Sequence, residues 1–178
     1  MAEYSREEII DKIHSWLNEV EGASVEEVAN PKIPSNYNVL KVNVTGESPK
    51  AVSPHEQQVK PEQISISYFI AFVSEGELFK ISTYFRFNEY DNIRFGLLKT
   101  PDKVKFVNTL KIPIMMLNLS YMWVPDLFNF ESIELSKIVY YDGFNKNIFF
   151  DSVSAVIHGY EICMSQYDQF INSIRMQG

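Results

Sequence analysis

The residues of this chain that could do chemistry are three histidines, one cysteine and an Asp-Gly step. A histidine holds zinc or carries protons when a second histidine, a cysteine or a carboxylate stands at ligand spacing. His14, His55 and His158 have no such histidine or cysteine nearby. His14 and His158 fall inside helical patterns and read as surface or partly packed residues, while His55 lies in a polar stretch and reads as solvated. Cys163 follows His158 by five residues, which on a helix turns it about 140° away, so the two make no thiolate–imidazole dyad. It reads as a buried, inert thiol. With a single cysteine, no internal disulfide and no cysteine metal cluster can form.

Asp142 could serve as an acid or base at a strand end, but Asp142-Gly143 is the ordinary chemistry of a turn. Asp151 and Asp168 read as water-facing, and among 23 acids no carboxylate pair is informative. The chain contains neither phosphate-loop pattern, G-x-G-x-x-G or G-x-x-x-x-G-K-[ST], and neither G-x-S-x-G nor H-E-x-x-H. The reading assigns no catalytic residue, no metal and no cofactor, and favours binding over catalysis.

One segment is unusually rich in adaptable apolar side chains. Ile114 to Phe130 reads I-M-M-L-N-L-S-Y-M-W-V-P-D-L-F-N-F. Met122, Trp123, Leu127, Phe128 and Phe130 are its candidate interaction residues, because methionine and aromatic surfaces suit partner binding. The competing reading places them in the core around an irregular connection.

Bulk properties narrow the partners. The net charge of −7 repels nucleic acid and anionic membrane, and the lysines Lys99, Lys103, Lys105 and Lys111 are interrupted by Asp102 and read as a solvated face. The N-terminus lacks a signal-peptide pattern, and the longest apolar tract is far short of the ~20 residues needed to span a bilayer. A soluble, cytoplasmic protein is expected, with no nucleic acid and no membrane partner.

The elements that would position these residues follow from periodicity. Ser5 and Glu8 have capping-box spacing before an apolar stripe from Ile9 to Val20, with Gly22 as a left-handed cap. Val25 to Ala29 reads as a short strand, and Tyr37 to Thr45 as a longer one. Gly46 to Gln63, with three prolines, reads as a mobile loop. Ile64 to Val73 and Leu78 to Phe87 form a hairpin, with Phe69, Ala71 and Val73 implying cover on both faces of the first strand at one end. Thr100 caps a middle helix with Pro101 at its first position, and Pro113 should kink or end it. Ile133 to Tyr141 is a further strand. A last helix opens near Asn145 or Asn147 with a stripe from Phe149 through Met164 to Ile174, and Gly159 permits close packing. Together these elements predict a single α+β domain over residues 1–178. Its antiparallel β-sheet is flanked by an N-terminal helix, a middle helix and a long C-terminal helix.

The stretch I-V-Y-Y-D-G-F-N-K-N-I-F-F-D-S-V resembles the strand-turn-helix segment of an uncharacterised archaeal family with a type III secretion chaperone-like fold. In that pattern a tyrosine and D-G close a strand, and a capping residue opens a helix of the form x-K-x-x-F-x-x-x-V. Tyr141, Asp142, Gly143, Asn145, Lys146, Phe149 and Val153 occupy those places, and T-P-D-K-V-K-F is also similar. The resemblance implies no catalytic residues. By analogy it implies a homodimer that binds protein or peptide. The expected function is a non-enzymatic, chaperone-like or adaptor module binding a protein segment on an apolar surface. The alternative is a small-ligand or catalytic domain with a pocket between sheet and helices and Asp142 near its mouth.

Overall fold

A computed structural model describes residues 4–28, 38–47, 63–73, 76–126 and 131–175. Helix α1 (Arg6–Asn18) is followed by strands β1 (Ala23–Glu27), β2 (Asn38–Glu47), β3 (Gln63–Phe72) and β4 (Leu78–Arg86). Helices α2 (Glu89–Gly96) and α3 (Thr100–Met116) come next, then β5 (Ser120–Val124), β6 (Ser132–Tyr140) and α4 (Lys146–Arg175). The six strands form one antiparallel sheet in the order β1-β2-β3-β4-β6-β5. The expected α+β architecture is therefore the observed one. Strand β2 runs to Glu47 and β3 starts at Gln63, so the ends of the expected 46–63 loop are paired strand, and the rest of it lies outside the described residues.

Local chemistry explains the first helix. The Ser5 hydroxyl accepts from the Glu8 backbone N–H, and the Ser5 N–H donates to the Glu8 carboxylate, closing a capping box. Ile9, Ile13 and Leu17 are buried at helical spacing. Gly22 is not the cap of this helix, which ends at Glu19. Its positive φ of 77° serves the turn into β1, where an added Cβ would meet the Thr45 carbonyl oxygen at 2.5 Å.

One face of the sheet builds the core. Leu40 and Val42 on β2, Tyr68, Ile70 and Phe72 on β3, Phe79, Ile81 and Phe85 on β4, and Ile133, Leu135 and Val139 on β6 are buried beneath the helices. Burial pushes the Tyr68 phenol well above its usual range. Along α4, Phe149, Val153, Val156, Cys163, Tyr167 and Ile171 are buried. Met164, expected in that stripe, is exposed, because Cys163 takes the inward position. Gly159 lies against β5–β6: an added Cβ would stand 2.6 Å from Leu119 Cδ1 and 3.2 Å from Leu135 Cδ1.

On the opposite face Phe69, Ala71 and Val73 are half-buried, and Ser82, Glu134 and Ser136 are buried. At its centre Lys80 Nζ donates to Glu134 Oε1 at 2.6 Å, with the Glu134 side chain only 6% exposed. The lysine supplies the partner that such a shielded carboxylate requires.

Helix α3 also differs in detail. Lys99, not Thr100, is its N-cap, so Pro101 falls one position later than expected. The helix continues three residues past Pro113 to Met116. Pro113 sits in the last turn, so it removes one backbone bond and only three residues of helix follow it. Asn118 at φ 54° then turns the chain into β5, a left-handed conformation that asparagine tolerates well.

Candidate interaction surface

The segment expected to be an irregular connection holds an edge strand. Among the described residues β5 pairs with β6 alone, from Ser120↔Ser136 to Val124↔Ser132, and stands at the edge of the sheet. In a strand, adjacent side chains point to opposite faces. Met122 therefore projects onto the sheet face opposite the core, beside Glu134, and is 56% exposed. Trp123 projects to the helix side and meets the Tyr121 ring at 6.1 Å, half-buried. The structure thus separates these two candidates. Leu127, Phe128 and Phe130 lie outside the described residues.

The Trp123 face borders α3. A hollow of about 410 Å³ between them is lined by Lys103, Val104, Val107, Lys111, Tyr121 and Trp123. On the outward side of α3 a broader depression of about 760 Å³ runs past Pro101, Val104, Lys105, Asn108 and Ile112 to Gln166 of α4. Helix α3 buries Phe106, Leu110 and Ile114 inward and still exposes Val104, Ile112, Met115 and Met116 outward. Helix α3 therefore carries apolar side chains on two sides. Sequence reasoning missed Val104 and Ile112. The signal was a second apolar stripe, at 104, 112 and 115, offset from the one at 106, 110 and 114.

The outward side of α4 does not form a matching apolar face. His158, Glu161, Ser165 and Asp168 are exposed there, with Met164 the large apolar side chain among them. His158 and Cys163 are apart as expected, one exposed and the other fully buried, with burial pushing the thiol up to about 12. Asp142 sits in the turn after β6, where Phe144 N–H donates to the Tyr141 carbonyl and Gly143 takes a φ of 68°. It also borders a hollow of about 360 Å³ with Lys137, Tyr140, Asp151 and Ser152. Among the described residues no group of three or more His, Cys, Asp or Glu could hold a metal, and no helix is long and apolar enough to cross a membrane.

No curated protein matches the chain. A crystal structure of an uncharacterized protein from Methanothermobacter thermautotrophicus is similar in fold, with a TM-score of 0.65 at 12% identity over 90% of this chain and 97% of that one. The model of the uncharacterized conserved protein family DUF2299 matches residues 9–166, nearly the whole sheet and its helices. The chain belongs to that family.

Proposed function

We propose that this protein is a non-enzymatic interaction module, chaperone-like or adaptor in role, that binds a protein segment on an apolar surface and works as a homodimer. The observation that carries the reading is the outward stripe of α3, whose Val104, Ile112, Met115 and Met116 stand in water although folding has already satisfied the helix. Exposed methionines in numbers suit an adaptable contact.

The edge strand supports self-association. Edge strands usually carry charges or other devices that prevent pairing. β1, at one edge, has Glu26 and Glu27, whereas β5, at the other, reads S-Y-M-W-V without a charge. Antiparallel pairing of two β5 strands about Met122 would extend the sheet across both copies. Light scattering across micromolar concentrations should give twice the 20.7 kDa chain mass. Met122→Glu, which sets two like charges against each other at the centre of that pair, should return the chain to monomer. A strict monomer at every concentration defeats the homodimer.

A second reading rests on the hollow beside Asp142, where Lys137 and Asp151 could orient a small ligand. Thermal-shift screening with a metabolite library, followed by loss of the response in Asp142→Asn, would favour it.

A further inference from the structure

We infer that the partner of the α3 face is an acidic amphipathic helix of another protein. The inference rests on the interaction-module reading and names the chemistry of what that module binds.

The face is a stripe with cationic flanks. At 100° per residue, Pro101, Val104, Asn108, Ile112 and Met115 fall within one outward arc of α3, with Lys105 on one side and Lys111 on the other. Ile112 is 67% exposed and Met115 59%. Both lysines are exposed, and neither forms an ion pair among the described residues. Lys103, by contrast, donates to the Gly96 carbonyl at 3.2 Å and lies over the Phe95 ring. The helix carries one acid, Asp102, in its first turn. On a chain of net charge −7, this is a local cationic frame around an apolar strip.

The frame selects its occupant. An apolar stripe between two cations is complementary to an apolar stripe between two anions. A helix surface offers no free backbone ladder, so the occupant must satisfy its own backbone, which a helix does. Seventeen residues of α3 give a seat roughly 25 Å long, enough for three to four turns of a partner helix. The grooves on either side, one toward Gln166 and one toward Trp123, take the partner's outer apolar side chains. A second copy of α3 would bring the same lysines and leave their charge unanswered. A nucleic acid would meet two lysines on an otherwise acidic body, too few phosphate contacts to overcome that field.

The probe is a pair of labelled 16-residue helical peptides with the same leucine face, flanked by glutamate in one and lysine in the other. Fluorescence anisotropy should show the glutamate peptide binding at least tenfold more tightly, with the advantage shrinking as salt rises. Lys105→Glu combined with Lys111→Glu should reverse the preference, and Ile112→Asp should abolish binding of both peptides while the circular dichroism stays native. Equal binding of the two peptides, abolished by Ile112→Asp, overturns the acidic partner and leaves the module reading standing. Binding of neither, or preferential binding of a single-stranded oligonucleotide, overturns the inference. So does a dimer that Ile112→Asp converts to monomer, because the face would then be filled by a second copy. Dimerisation through β5 is read separately in Met122→Glu.

Discussion

At the residue scale, the most legible feature was the one whose physics is local. Ser5 and Glu8 are three positions apart, and their reciprocal bonds need nothing beyond one helical turn. The Ser5 N–H, donating to the Glu8 carboxylate at 2.7 Å, holds that carboxyl below its usual value, and the Ser5 hydroxyl adds to the effect. A carboxyl whose folded-state pKa is lowered contributes stability that is present above its unfolded pKa and is lost as pH falls through the folded value. Glu8→Gln should therefore melt below the wild type at neutral pH, and the gap should close below about pH 4, as the wild-type carboxyl protonates. Thermal melts at stepped pH check this, and a gap constant from pH 7 down to pH 2.5 would refute it. Glu134 was not legible in the same way. Its partner Lys80 is 54 residues distant, brought alongside by the β4–β6 register, and nothing in either local sequence announces the pair.

At the element scale, legibility followed length and contact distance. Helix α4 shows its stripe over 30 residues, and β3 and β4 are separated by only five residues in sequence, so both could be read from neighbours in sequence. Helix α2, with eight residues, is too short to display a period, and the burial of its Phe95 follows from tertiary packing on Phe87 at 5.8 Å and Phe106 at 5.7 Å. Strand β5 has five residues and exists because β6 receives it, so its propensity alone did not reveal it. Without the strand, Met122 and Trp123 read as one cluster, whereas the pleat sends them to opposite faces.

Gly159 shows where element packing overrides propensity. Alanine there would gain about 1 kcal/mol of helix propensity. Its Cβ would, however, stand 2.6 Å from Leu119 Cδ1 and 3.2 Å from Leu135 Cδ1, on two buried side chains that would have to shift. Overpacking a core costs about 1–3 kcal/mol. The clash should prevail, so Gly159→Ala should lose about 1 kcal/mol in urea unfolding, and Gly159→Val more. A stabilised alanine variant would show that the β5–β6 leucines shift freely.

At the whole-molecule scale, the sheet-and-helix plan was visible from element order, but which sheet face carries the core cluster was not. Phe69 and Tyr84 sit on the other face with their rings 5.9 Å apart, and aromatic residues alternating on both sides of a strand look the same whether a helix covers them or not. The core face is organised by two aromatic groups at opposite ends of α4. Trp16, Phe72, Phe79, Phe144 and Phe149 join α1 and the sheet to its start. Phe87, Phe95, Phe106, Tyr167 and Phe170 join α2, α3 and the residue after β4 to its end. One helix, roughly 45 Å long, carries both groups, so neither end can be lost without unseating the other. The chain should then unfold as one unit. Its two tryptophans report on it from both ends, Trp16 beside Phe144 and Trp123 beside α3. In single-tryptophan proteins made by Trp123→Phe or Trp16→Phe, the urea midpoints should coincide. Phe106→Ala, which empties a fully buried site, should cost about 3–5 kcal/mol and shift both midpoints together. If Phe106→Ala moves the Trp123 signal alone, the α2–α3 end is a separate unit, and α4 does not couple the two halves of the molecule.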